Sequence, residues 1–499
     1  MKYILAIDQG TSSTKSIIFD NQGKVISKGH ADLHTNYFDN GFVEQDPEEI
    51  FQNVLTSVSL CLEDFQQKEY NPKDIASCGI SNQRETFVLW DKTGKALSPA
   101  VVWACKRSTQ VCENLINQGQ NELIKQHTGL IIDPYFSGTK LLWLLENNSD
   151  LKAQLDQGKV YFGTVDCWLL YKLTEGKSYK TDHTNAHRTL LLNIHSLTWD
   201  KEILALWGLE KLHLPEVHPS SYDYGNWTYS DEKSAVGVLA QNQLPITALI
   251  GDSHAATFGE GCFDKGTAKA TLGTGCSIMS NIGNEPLISS NGMLTTVCWS
   301  VEGRVDYAFE GAIVSCGSTI EWLKNEMKFF THPSETEDLA QKVKDNAGVY
   351  LIPAFSGLGA PHWQMSRKAS IQAITFGTSI NHIVRAALES IPYQIKDVLD
   401  AMSKDMGKDF SSISINGGIS HNKFVTTFLA DLLGFSIKKQ ANHDISALGA
   451  AYLAGLKSGV YQSIDALSEL CKANITSIEP ADNTLVQTYY EGWQKALNG

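Results

Sequence analysis

The chain has 499 residues, 41 Lys and Arg against 55 Asp and Glu for a net charge of −14, and 42% apolar and 19% charged residues. That length exceeds one ordinary core and predicts two domains of roughly 200–250 residues with a cleft between them. The acidic balance, without a basic cluster interleaved with aromatics, argues against a nucleic-acid partner. No apolar run reaches the ~18 residues of a membrane span, and Met1 to Asp8 reads as a strand rather than a signal peptide, so a cytoplasmic protein is expected.

Tyr3 to Ile7 and Ser16 to Asp20 are apolar runs of strand length separated by Asp8-Gln-Gly-Thr-Ser-Ser-Thr-Lys15, which predicts a hairpin with a donor-rich tip. Asn21-Gln-Gly23 turns the chain into a third strand, Lys24 to Lys28, completing an antiparallel meander. Asp46-Pro-Glu-Glu49 is a helix start: a capping carboxylate, a proline with no N–H to lose, and two acids at the positive helix end. The apolar positions from Ile50 to Phe65 recur at three and four, so this helix buries one stripe. Strands are predicted over 75–80, 87–90 and 246–251, the last ending at Asp252, and a helix over 139–146. Ala268 to Met279 repeats the opening pattern, with Gly273-Thr-Gly275 at the tip; further helices span 424–433, stopped by Gly434, and 447–455. A pattern that begins twice predicts a duplicated fold, with the division near 254–262 and domains of 1–254 and 255–499. The ten cysteines show no metal-ligand spacing and are expected to be reduced and buried.

A triphosphate requires several close backbone and hydroxyl donors, and only glycine lets the main chain come that near. Thr11, Ser12, Ser13 and Lys15 at the first tip and Thr274 at the second supply such groups, although neither tip is a Walker loop. Asp8, at the end of the first strand, suits a magnesium ion through its water shell, and equally suits a turn cap. Asp252 could take a proton from an attacking hydroxyl or serve as a strand-end turn residue. Arg84 and Glu85 offer a donor and an acceptor to vicinal hydroxyls, and Trp103 and Tyr135 an aromatic wall; each alone reads more readily as a surface ion pair or a core ring.

A set of spaced stretches resembles the FGGY carbohydrate kinase family over essentially the whole chain. They are Asp8-Gln-Gly-Thr, Asn82-Gln-Arg-Glu85, Ile132-Asp-Pro-Tyr-Phe-Ser-Gly-Thr-Lys140 with Trp143, Gly163-Thr-Val-Asp166, Gly251-Asp252, Gly273-Thr-Gly-Cys276, Pro353-Ala-Phe with Gly357-Leu-Gly-Ala-Pro361, Arg385-Ala-Ala-Leu-Glu-Ser390, Gly417-Gly418 and Ala447-Leu-Gly-Ala-Ala451. The resemblance implies an α/β chain of two actin-like, ribonuclease H-like ATPase domains around a catalytic cleft. It implies ATP and Mg2+ as cofactors and a primary hydroxyl of glycerol or a closely related small polyol as acceptor. It also implies a homodimer or homotetramer. Carried over residue by residue, it makes Asp252 the general base and Asp8 the magnesium-linked carboxylate. Arg84, Glu85, Trp103, Tyr135, Asp252 and Ser253 become the polyol site. Thr11, Ser12, Ser13, Lys15 and Thr274 fall to the phosphates, and Gly317, Glu321, Gly418 and Asn422 to the nucleotide.

Three positions depart from the glycerol-phosphorylating pattern. Ser253-His254 replaces a Gln after the catalytic Asp, Ser277 replaces a Phe, and Glu321 replaces a Gln. Loss of an aromatic wall and a long amide arm predicts a wider, more polar pocket, so a tetritol or pentulose stands beside glycerol as acceptor. His254 reads either as a contact to such a substrate or as a packed side chain. A non-catalytic actin-like nucleotide-binding protein would share the two tips but has no use for the polyol residues. A sugar-sensing repressor would need an added helix-turn-helix, for which the strand beginning at Lys2 leaves no room.

Overall fold

The computed structural model of the protein describes residues 2–231, 234–481 and 484–499. In the first half, β1 (Tyr3–Gln9), β2 (Ser13–Asp20) and β3 (Val25–Asp32) form the expected antiparallel meander. The strands run longer than the apolar runs: only Gly10 to Ser12 is left as the tip, and Lys15 lies on β2 opposite Asp8. Tip residues continue the pairing because Thr14 and Ser16 alternate inward and are buried. Helix α1 (Pro47–Gln67) starts as predicted, Asp46 accepting from the Glu48 amide, and lays its buried stripe on β2 and β3. On the other side of β1 lie β4 (Ile75–Asn82) and β6 (Pro245–Gly251), both parallel to it, and the antiparallel edge strand β5 (Ser221–Asn226), giving the order β5-β6-β4-β1-β2-β3. Helix α2 (Asp252–Gly259) follows β6 directly, so the division anticipated between residues 254 and 255 falls inside a helix.

The second half repeats this plan. Strands β7 (Ala268–Leu272) and β8 (Cys276–Gly283) form a hairpin, and β9 (Leu294–Val301) and β10 (Arg304–Ile313) extend the meander. Helix α3 (Gly317–Asn325) comes next; after a segment that includes the long helix Ile380–Met406, the sheet resumes with β11 (Ser412–Asn416), followed by α4 (Lys423–Leu433), β12 (Ser436–Gln440), α5 (Ile445–Lys457) and β13 (Ile475–Ile478). Strands β11 and β12 run parallel to β7 and β13 antiparallel to β12, so the order is β9-β10-β8-β7-β11-β12-β13. In both sheets the first strand is central, with the meander on one side and two parallel strands on the other. Gly434 closes α4 at φ 72°, the left-handed stop its position predicts.

The halves share a core. Helix α5 of the second half lies across β1, β4 and β6 of the first and against α2. The approach is close enough to demand glycine: a Cβ on Gly449 would stand 1.9 Å from the Ala255 carbonyl oxygen, and one on Gly79 2.4 Å from that of Ala450. Ile4, Phe19, Phe258, Trp299, Leu448 and Leu453 are buried together at this junction, each worth ~1.5–3 kcal/mol. An inserted five-stranded sheet, 36–37, 43–45, 87–90, 100–101 and 161–164, brings up the loops that carry Trp103 and Tyr135. All ten cysteines are free and buried.

Candidate active site

The carboxyl ends of parallel strands converge here, the usual ligand-facing edge of such a sheet. Register places Asp8 of β1 beside Ser81 of β4, and Ser81 beside Ile250 of β6, so Asp252 emerges two residues past the row that holds Asp8. Ser81 Oγ donates to Asp8 Oδ1 at 3.0 Å. Enclosure, and then the nearby Asp252 carboxylate, push Asp8 up to about 7. A buried carboxylate with a second carboxylate nearby forms a fitting place for a cation. Among the described residues no group of three or more His, Cys, Asp or Glu could hold a metal. That donor set fits Mg2+ bound by one or two carboxylates and otherwise by phosphate and water.

Both hairpin tips are tied back by their carbonyls. The Thr11 carbonyl accepts from Gln45 Nε2 at 2.6 Å and Thr35 Oγ1 at 3.0 Å, and that of Ser12 accepts from the Leu33 amide at 2.9 Å. Since C=O and N–H point oppositely across a trans peptide, the Ser12 and Ser13 amides face the other way. At the second tip, the first amides of α3 are consumed: Gly317 N–H donates to the Gly273 carbonyl at 2.9 Å, and those of Cys316 and Ser318 to the Thr274 carbonyl at 3.0 Å. The Thr274 and Gly275 amides turn outward by the same argument. Lys15 donates to Asp444, the residue before α5, at 3.2 Å, and Lys28 donates to its other oxygen.

Gly418 and Asn422 line a recess of about 260 Å³ together with Ile320, Thr336 and Glu337. Asn422 is held by both ends, its Oδ1 accepting from the Val425 amide at 3.1 Å and its Nδ2 donating to Thr336 Oγ1 at 3.2 Å. Glu321 is exposed and pairs with Lys324 and Asn325 on its own helix.

Around Asp252 the expected acceptor residues come together. Arg84 is buried and uses every nitrogen of its guanidinium: Nε donates to Asp252 Oδ1 at 3.2 Å, Nη1 to Glu310 Oε1 at 2.8 Å, and Nη2 to Tyr135 Oη at 3.4 Å. The Ser253 amide also donates to Asp252 Oδ1, at 2.6 Å, so Oδ2 carries no hydrogen bond among the described residues. The Asp252 side chain is 39% exposed, unlike Arg84 at 7%. Trp103 and Tyr135 meet edge to face at 5.8 Å, and Trp103 Nε1 donates to Thr11 Oγ1 at 2.9 Å, tying the aromatic wall to the first tip. Glu85 is buried at φ 60° and pairs with Arg188.

Two neighbours of the site, Arg188 and Glu310, carry no motif, and Lys140 and His254 lie beside them. Arg188, fully buried after the short helix His183–His187, pairs with both Glu85 and Glu310. Burial alone would raise Glu310, but Arg188 and Arg84 hold its carboxyl far below the ordinary range. The available signal was a single carboxylate in the otherwise apolar run Tyr307 to Ile313. Lys140 donates to the backbone carbonyls of Tyr135 and Trp103, at 2.7 and 3.2 Å, and burial lowers it to about 7. His254 is wholly buried, its Nε2 3.4 Å from Thr296 Oγ1, and burial keeps it neutral well below its ordinary value. Ser277 Oγ is also shut away, without a partner.

Residues 3–259 match the N-terminal domain, and residues 268–458 the C-terminal domain, of the FGGY family of carbohydrate kinases. The chain belongs to this family. It is therefore a phosphotransferase, in keeping with the two-domain fold and its facing tips. A glycerol kinase of Thermoanaerobacter pseudethanolicus is 43% identical over 498 residues, covering 99% of this chain and 98% of that one. Among solved structures, Plasmodium falciparum glycerol kinase with ADP superposes with a TM-score of 0.93 at 33% identity, covering 100% and 98% of the two chains. A gluconate kinase from Lactobacillus acidophilus, TM-score 0.87 at 22% identity and 100% and 98% coverage, shares the family fold.

Proposed function

We propose that this chain transfers the γ-phosphoryl group of ATP to a primary hydroxyl of glycerol. The observation that carries the reading is Asp252: a half-open carboxylate at the mouth of the parallel strands, whose Oδ1 is held by Arg84 and the Ser253 amide while Oδ2 stays open. In this reading Oδ2 accepts the proton of the attacking hydroxyl. The hydroxyl oxygen bonds to the γ-phosphorus as the bond to the bridging oxygen breaks, and ADP leaves with that electron pair. Arg84 and Glu85 orient the vicinal hydroxyls, Trp103 and Tyr135 cover the carbon chain, and Ser253 borders the reacting end. Thr11, Ser12, Ser13, Lys15 and Thr274 receive the phosphates. Gly317, Gly418 and Asn422 take the adenosine, with Glu321 at its rim. Asp8 would hold Mg2+ through water, and the ion would supply charge neutralisation at the transferring phosphate. The domains assigned are 1–254, with the acceptor site, and 255–499, with the adenosine site. The protein works in the cytoplasm as a homodimer or homotetramer.

A second acceptor class, a tetritol or pentulose, is what Ser253 and Ser277 suggest by their identities, but the Ser277 hydroxyl is enclosed and opens no room toward Asp252, which favours glycerol. Turnover with magnesium-ATP and glycerol, erythritol, threitol and pentuloses decides between the classes by kcat/KM. Asp252→Asn is expected to lower kcat by about 10²–10⁴-fold. Unchanged turnover in that variant refutes the mechanism, and ATP hydrolysis indifferent to every polyol returns the chain to a non-catalytic actin-like role.

A further inference from the structure

Glu310 reaches the acceptor residues from the opposite half of the molecule. It stands on β10 of the second sheet, yet its two oxygens accept from Arg84 and Arg188, both of the first half, at 2.8 and 2.5 Å. Arg188 in turn holds Glu85, and its guanidinium lies over the rings of Tyr135 and Phe136, 5.5 and 5.0 Å from their centres. Two arginines and two glutamates thus form a neutral cluster in the buried interior. An ion cluster of this kind costs desolvation and gives little net stability over apolar packing, which makes a purely structural role a poor account of it. Two of its four members, Arg84 and Glu85, are the residues assigned to the acceptor.

The bond lengths order the roles of the Arg84 nitrogens. The contact to Glu310 is the shortest of the three and joins full opposite charges, so it fixes the guanidinium plane. The contact to Tyr135 is the longest and is the one an incoming hydroxyl can replace most readily. With Nη1 anchored, Nε is committed to Asp252 Oδ1 and Nη2 to the acceptor. Without the anchor, the same guanidinium is free to rotate and present two nitrogens to Asp252, covering the oxygen that takes the proton.

We propose that Glu310 is a positioning residue for phosphoryl transfer, supplied by the second half to set the orientation of Arg84 in the first. The site is complete only when the two halves are in register, so acceptor binding reports on their relative placement. This rests on the reading of Arg84 and Asp252 given under Proposed function.

The test is Glu310→Gln, with Glu310→Asp as a charge-retaining companion should the first fold poorly. A misplacement of this order costs about 100-fold in kcat/KM for the acceptor. The ADP dissociation constant should stay within about threefold of wild type, because the cluster touches none of the residues assigned to the nucleotide. Glu310→Asp should recover part of the loss. Parallel collapse of ADP affinity and acceptor kcat/KM would show that Glu310 only holds the fold, and unchanged acceptor kinetics would overturn the proposal outright. A crystal structure of Glu310→Gln gives a reading independent of acceptor identity: Arg84 is expected to turn toward Asp252, and an unmoved Arg84 refutes the positioning role. Wild-type protein that turns over no polyol sinks the functional reading alone, and the Arg84 orientation then decides the proposal.

Discussion

Glu260→Gln should stabilise this protein progressively as pH rises. Glu260 ends α2, the helix that Asp252 begins, and is 2% exposed. Its Oε1 accepts from Asn416 Nδ2 at 2.9 Å, just before the Gly417-Gly418 turn, while Oε2 has no partner. Burial raises the carboxyl from 4.5 to about 7, more than Asn416 and Lys269 lower it. Between those values the folded chain keeps a proton that the unfolded chain has released. The folded state therefore loses stability as pH climbs from 4.5 to about 7, and above that the loss is complete. From pH 5 to pH 8 the loss amounts to about 2.5 kcal/mol. A glutamine keeps the bond from Asn416 and cannot ionise. Its orphan amide adds a cost that does not vary with pH, so the informative quantity is the change in the difference between variant and wild type. Thermal and urea unfolding of both proteins at pH 5 and pH 8 measure it. A difference that stays constant across that range refutes the assignment of Glu260 as a carboxyl kept protonated by burial.

Gly449→Ala places a methyl 1.9 Å from the Ala255 carbonyl oxygen and forces α5 and α2 apart; a stability loss of ~1–3 kcal/mol is expected, together with a fall in kcat because α2 carries Asp252, both read from unfolding and turnover of one preparation. Trp103→Phe removes the 2.9 Å bond to Thr11 Oγ1 and keeps an aromatic face; the lost bond costs ~0.5–1.5 kcal/mol of stability, so a small fall in melting temperature and a rise in acceptor KM are expected together, and an unchanged KM would separate Trp103 from the site.

The site that chain order makes readable is the part built from contiguous residues. Gly10 to Ser12 and Gly273 to Gly275 each read alone as an ordinary turn, and it is their recurrence after two apolar strands that marks them; both do form hairpin tips. Asp252 is visible for a related reason: a buried apolar strand that ends in a carboxylate puts that group at the sheet's open edge. Arg188 and Glu310 give no such sign, because their pairing joins residues 122 positions apart and is set by where β10 falls when the second sheet docks. Ser277 and His254 show the opposite limit. Ser277 suggested a roomier pocket and His254 either a substrate contact or a packed side chain, but the chain closes over both, and side-chain volume alone does not say whether a neighbour fills the space it leaves.

The same logic explains why Asp252, the proposed base, sits on α2 rather than on a loop. Helix α2 leaves the first sheet at β6 and packs on α5, which belongs to the second half but lies on the first sheet. Gly449 and Gly79 permit that packing at backbone contact distance, so α2 cannot shift without moving α5. Asp252 is thereby fixed to the first half from behind, while Arg84, its only side-chain partner among the described residues, is oriented from the second half through Glu310. Displacing β10 relative to the first sheet moves the group that orients Arg84, so in the proposed mechanism the docking of β10 is what the Glu310 substitutions probe.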